Sequence, residues 1–182
     1  GKLAAKEMRK LLHDKGSVTL LRLHKGVIST DEREQGFIDE INRFPLTLIE
    51  GPYVGTSVAP MRKQISLFLA QHHKRIDGLF TPNEMTTLSA LAELKKSGQI
   101  GKLVHIGFDY SRYQLDALQK GELQGLILQQ PYQMGYQGVR LLIQAHRGQR
   151  ATSEHQHTPI YYLTRDKLQS KEGQDFLMLN AP

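Results

Sequence analysis

At 182 residues, 39% of them hydrophobic and 23% charged, the chain has room for one well-buried domain, and its composition excludes a fibre or a disordered polymer. No apolar run approaches the roughly 18 residues that cross a bilayer, and with no cysteine there is no disulfide, thiolate metal site or Cys nucleophile. The formal charge of +6 is spread along the chain apart from short clusters such as His72-His73-Lys74-Arg75, which argues against a nucleic-acid role for this segment.

The opening residues, GKLAAKEMRKLLHDKG, are amphipathic rather than signal-like, so the chain reads as a mature or excised segment without a signal. Leu3, Ala4, Met8, Leu11 and Leu12 recur at helical spacing over 2–14. Lys15-Gly16 ends that pattern, and Val18–Leu23 reads as a buried strand. Thr30, with acidic Asp31 and Glu32 in a first turn, opens a helix over 30–43 whose Phe37, Ile38 and Ile41 share one face. Leu46–Ile49 is a short strand, Gly51-Pro52 and Gly55 make a loop, and Pro60 suits the first turn of a helix running to about His73.

Ile76–Phe80 is the next strand. Thr81-Pro82-Asn83 then leads into a helix over 84–97 that Gly98 and Gly101 close, and Leu103–Phe108 is the fourth strand. A helix over 111–120, a strand at Leu126–Leu128 and a helix from Pro131 to about His146 follow. Five strand–helix units in alternation predict an α/β fold, a mostly parallel open sheet with helices on both faces. Past Gly148 a polar stretch, ATSEHQHT, precedes one more strand at Ile160–Leu163, and the tail beyond is too polar to place.

Arg33, Asn83, Asp109 and Gln129 each stand just past an apolar strand or at the start of the helix that follows one. In a parallel sheet those positions converge on one edge, where a cleft lined with donors and acceptors suits a small polar ligand. Each has a structural reading beside the functional one. Asp109 either accepts two hydroxyls or caps the helix near Ser111, and Asn83 either offers its amide to a ligand or caps the helix at 84. Arg33, a cation in a first turn that the macrodipole disfavours, takes a ligand or pairs with Asp31 or Glu32. Gln129 binds or is a solvated strand end.

Catalytic signatures are missing. Gly101-Lys102 lacks the spacing and the Ser/Thr of a phosphate loop, and no Gly-x-Ser-x-Gly or His-Glu-x-x-His occurs. His155 and His157 have no Cys near them in sequence and read as solvated loop residues rather than metal ligands. No metal and no cofactor is expected.

Four segments resemble one family. Asp31-Glu32-Arg33-Glu34-Gln35-Gly36-Phe37, Phe80-Thr81-Pro82-Asn83-Glu84, Ile106-Gly107-Phe108-Asp109 and Gln129-Gln130-Pro131-Tyr132-Gln133-Met134-Gly135-Tyr136 are similar, in order and spacing, to motifs of the periplasmic sugar-binding proteins of ABC transporters. These are of the ribose-binding type and share their fold with the ligand-binding cores of LacI-type repressors. The resemblance implies that Arg33, Asn83, Asp109 and Gln129 hydrogen-bond sugar hydroxyls, that an aromatic ring stacks on the sugar, and that a membrane permease is the partner of the intact periplasmic protein. Tyr110 is the preferred ring, with Tyr53 and Tyr113 as further candidates.

Intact members have two lobes, and this chain resembles the C-terminal one with its return segments. The expected organisation is a C-terminal-type lobe over 1–130, a helix and strand over 131–164 that in the family pack with the other lobe, and a tail over 165–182. Met134, Val139, Leu142 and Ile143 are then expected to be covered by this lobe or by a second copy, which makes self-association through helix 131–147 a partner expectation. The alternative function is the ligand-sensing domain of a LacI-type regulator or a sensor kinase.

Overall fold

The computed structural model describes residues 1–149 and 157–180. Helix α1 (Lys2–Leu12) leads into β1 (Ser17–Leu20), α2 (Ile28–Ile41), β2 (Thr47–Ile49) and α3 (Val58–His72), which ends in a 3-10 turn, His73–Arg75. Then come β3 (Gly78–Phe80), α4 (Glu84–Lys96), β4 (Val104–Phe108), α5 (Arg112–Gln119), β5 (Gly125–Leu128) and α6 (Pro131–His146). Strand β6 (Tyr161–Leu163) and the short helices α7 (Arg165–Leu168) and α8 (Lys171–Leu179) complete the chain.

The six strands form one sheet in the order β2-β1-β3-β4-β5-β6. The first five are parallel, and β6 runs antiparallel to β5, Leu126 facing Leu163 and Leu128 facing Tyr161. The α/β reading therefore holds. Alternation along a strand sends neighbours to opposite faces, so Phe80 packs with Met8, Phe37 and Ile106 under α1 and α2. Leu79 beside it packs with Met61, Ile65 and Leu94 under α3 and α4. Phe37 and Phe80 stack with centroids 4.8 Å apart.

Three expectations need correction. Helix α2 begins at Ile28 behind Val27, which offers no capping side chain, so Arg33 lies in the second turn rather than the first. The strand grouped with the other lobe pairs instead with β5 in this sheet, and Leu163 is fully buried. The tail also folds. Thr164 and Ser170 accept from the Lys167 and Gly173 N–H groups at the starts of α7 and α8, and Phe176 stacks on Tyr161 with centroids 4.7 Å apart.

Coverage of α6 by this lobe does not occur. No residue of that helix is buried, and Met134, Val139, Leu142 and Ile143 are all exposed.

Candidate functional site

The parallel strands deliver their C-terminal ends to one edge, where open α/β sheets place ligands. Arg33, on the second turn of α2, is held by the three strands beside it. Its Nη1 donates to the Pro82 carbonyl past β3 at 2.9 Å, and its Nη2 donates to Gln129 Oε1 past β5 at 3.1 Å. Gln129 in turn donates from Nε2 to Asp109 Oδ1 past β4 at 2.7 Å. Beneath the guanidinium lies the Phe108 ring, with Arg33 Cζ 3.9 Å from its centroid.

One hydrogen-bonded series thus runs from cation to amide to carboxylate, and the amide orientation is set by its two neighbours. Burial pulls the Arg33 guanidinium below its ordinary range while the Asp109 charge opposes that shift. The group stays charged, because arginine does not lose its proton in proteins.

Asp109 follows β4 in the left-handed region, φ 60°, a conformation Asp tolerates better than most residues. Its N–H still donates to the Ile127 carbonyl at 2.9 Å. Ser111, not Asp109, is the N-cap of α5. The capping alternative for Asp109 is therefore not realised, and its carboxylate turns to Gln129.

Asn83 does cap. Its Oδ1 accepts from the Thr86 N–H at 2.9 Å, inside a reciprocal capping box. Among the described residues its Nδ2 makes no hydrogen bond, so the cap leaves the amide's two donors available.

A buried string of side chains supports this corner. Thr87 Oγ1 donates to the Asn83 carbonyl at 2.8 Å and lies 2.9 Å from Thr81 Oγ1, which is 3.0 Å from His105 Nε2. The Thr87 proton being committed, Thr81 donates to Thr87 and must accept from a protonated His105 Nε2. His105 Nδ1 is then a buried acceptor, without a partner among the described residues. Burial pushes this imidazole down to about 3, so it is neutral at ordinary pH.

Tyr110 does not join the series. Its hydroxyl donates to the Asn180 and Leu177 carbonyls at 2.8 and 3.3 Å, which ties it to the end of α8. Tyr113 is exposed on α5, and Tyr53 lies under the Arg22 guanidinium, 4.2 Å from Cζ to centroid. His155 lies outside the described residues, and among these no group of three metal-ligating side chains occurs.

Two features escaped the sequence reading. Phe108, quoted within a motif but read only as a strand residue, supplies the apolar floor under Arg33. Glu34, fully buried, accepts from Leu23 N–H at 2.9 Å and Arg22 Nε at 3.1 Å. Burial pushes its carboxyl up while these donors pull it back. It braces the loop after β1 next to Arg33. Its place on the inner stripe with Thr30, Phe37 and Ile41 was the available signal.

A cavity of about 630 Å³ opens over this edge. Arg33, Phe108 and Gln129 wall it from the sheet, and Met134, Gln137 and His157 from the return segments. Asp109 joins through Gln129, and Asn83 stands outside the cavity wall.

The family model described as a periplasmic binding protein domain matches residues 1–150, and the chain belongs to that family. Its fold is one lobe of the two-lobed architecture. Among solved structures it is similar to the periplasmic component of an ABC-type sugar transport system from Hahella chejuensis, at 34% identity and TM-score 0.81, over 90% of this chain and 59% of that one. An ABC transporter solute-binding protein from Agrobacterium vitis with bound D-fucose matches at 27% identity and TM-score 0.85, over 96% of this chain and 60% of that one. A second protein from that organism, bound with alpha-D-tagatopyranose, matches at 25% identity and TM-score 0.87, over 96% and 58%. The chain spans about three-fifths of the length of these proteins. No protein of curated function matches its sequence.

Proposed function

We propose that this chain is one lobe of a periplasmic sugar- or polyol-binding protein that serves an ABC-type uptake system, capturing its ligand by lobe closure and presenting it to a membrane permease. The observation that carries the reading is the Arg33–Gln129–Asp109 series on the sheet's carboxyl edge, with Asn83 beside it and Phe108 beneath. One cation and one carboxylate in the same series leave the edge close to neutral, which favours an uncharged polyhydroxylated ligand over an anion. Hydroxyls both donate and accept, so they can bond to the carboxylate, the amide and the guanidinium together.

Membership of the family, and likeness to proteins solved with fucose and tagatopyranose, support the same ligand class. Binding requires no chemical step: the assembled groups hold and orient a ligand without a nucleophile or paired base.

A thermal-shift screen of the native gene product against sugars and polyols tests the proposal. One sugar should raise its stability, by about 2.7 kcal/mol at a hundredfold excess over Kd, and Asp109→Ala and Arg33→Ala should each abolish the shift. No stabilisation by any member of the panel would overturn the reading.

A further inference from the structure

The parallel fold that gathers the binding residues on one edge gathers the ends of the helices on the other. Cations scattered through the sequence meet there: Lys15 before β1, Lys74 and Arg75 before β3, Lys96 at the end of α4 and Lys102 before β4. All five are exposed. Register places them together, since Val18 faces Gly78 and Gly78 faces Val104. His73 and Ser97 line one small groove, which joins the ends of α3 and α4.

The carboxylates of this edge do not neutralise these five. Asp14 pairs with Arg9 at 2.6 Å, Glu93 with Arg62 at 2.7 Å and Glu122 with Lys95 at 3.5 Å. The exposed Asp77 carboxylate, which accepts from the Ser17 N–H at 2.7 Å, keeps its charge and offsets only one of the five. Among the described residues none of the five cations has an ion-pair partner. Last-turn cations compensate helix dipoles, which accounts for Lys96, but Lys15 and Lys102 lie in loops beyond the helix ends.

We propose that this edge is an electrostatic docking surface for an anionic phospholipid bilayer. Its chemistry suits a smeared negative surface better than a shaped acidic partner. The five side chains are exposed and unpaired, and their charge spans three strand entries without a matching carboxylate fork. A single-stranded nucleic acid would want aromatic rings interleaved with the cations; the His72 ring is taken up by Phe68 at 4.7 Å, and His73 Nδ1 lies 3.0 Å from the Leu69 carbonyl. The surface is independent of the sugar site, which lies on the opposite edge.

The test is co-sedimentation of the full chain with vesicles of phosphatidylglycerol and phosphatidylcholine, against phosphatidylcholine alone. Binding should occur only with the anionic lipid and vanish in about 1 M salt, where the Debye length is about 3 Å. The variant K74E/R75E/K96E/K102E should bind at least about tenfold more weakly, each cation near such a surface contributing a sizeable share. The charge-matched control K25E/K63E/R112E/R140E, with its changes elsewhere, should keep most of the binding. Circular dichroism confirms that both variants fold. The proposal is overturned by an absence of binding to anionic vesicles at low salt, by equal losses in the two variants, or by retention on polyglutamate or single-stranded DNA with no vesicle binding.

Discussion

Strand β5 and helix α6 are neighbours in sequence and both rich in apolar residues, yet every residue of β5 is buried and none of α6 is. The strand is flanked by β4 and β6 and covered by apolar side chains that include Leu118 and Leu163. The helix carries Met134, Val139, Leu142 and Ile143 into solvent. Apolar pattern shows that a segment has a face to bury; only a partner buries it. The largest effects should therefore fall where partners are present. Phe37→Ala, which removes a fully buried ring stacked on Phe80, should cost about 3–5 kcal/mol in denaturant unfolding. A cost under about 1 kcal/mol would mean the lobe's core is far looser than its packing indicates.

The strands were readable because each apolar run meets a turn residue: Pro82 after β3, Gly101 before β4, Pro131 after β5. The α2 start was not, because Val27 carries no capping group and Thr30 mimics one. Helices α7 and α8 are short, and Leu168 of the first and Phe176 and Leu177 of the second pack against a cluster that includes distant Leu118 and Leu163, contacts no local period reveals. At the site, all four polar residues could be placed on one edge from strand order, but not their connection. Gln129 bridges partners 96 and 20 residues away. Adjacency to Asp109 does not bring Tyr110 into the hydrogen-bonded series; its hydroxyl follows the carbonyls of the tail instead.

The buried corner at His105 offers the next largest effect. Its folded pKa, about 3, is below the unfolded value near 6.5. Between those values the unfolded chain binds more protons, so stability falls as pH falls from about 6.5 towards 3. Neutral His105 should be responsible for a loss of about 2 kcal/mol between pH 7 and pH 5. His105→Gln, even if less stable at pH 7, should flatten that part of the profile. An unchanged slope would assign the acid sensitivity to other groups.

Smaller, and divided between two roles, is Asn83. Removing the capping box with Asn83→Ala should cost about 1 kcal/mol and, if the amide also meets the ligand, sugar affinity as well. Asn83→Ser separates the roles, since serine caps about as well but lacks the amide donors. Recovered stability with affinity still lost is the expected pattern; recovery of both would leave Asn83 a cap alone.

The smallest expected effect returns to α6 and sharpens the contrast with β5. Leu142 is 71% exposed, so Leu142→Ser should change the stability of the dilute chain by under about 0.5 kcal/mol. A fully covered leucine at that position would contribute about 1.5–3 kcal/mol. Any cost of that size therefore identifies coverage from outside the described lobe, and protein concentration separates its sources. A second copy makes the wild-type Tm rise with concentration and removes that rise in Leu142→Ser. Coverage by the remaining length of a longer protein, of the kind the two-lobed relatives possess, gives a cost that does not depend on concentration.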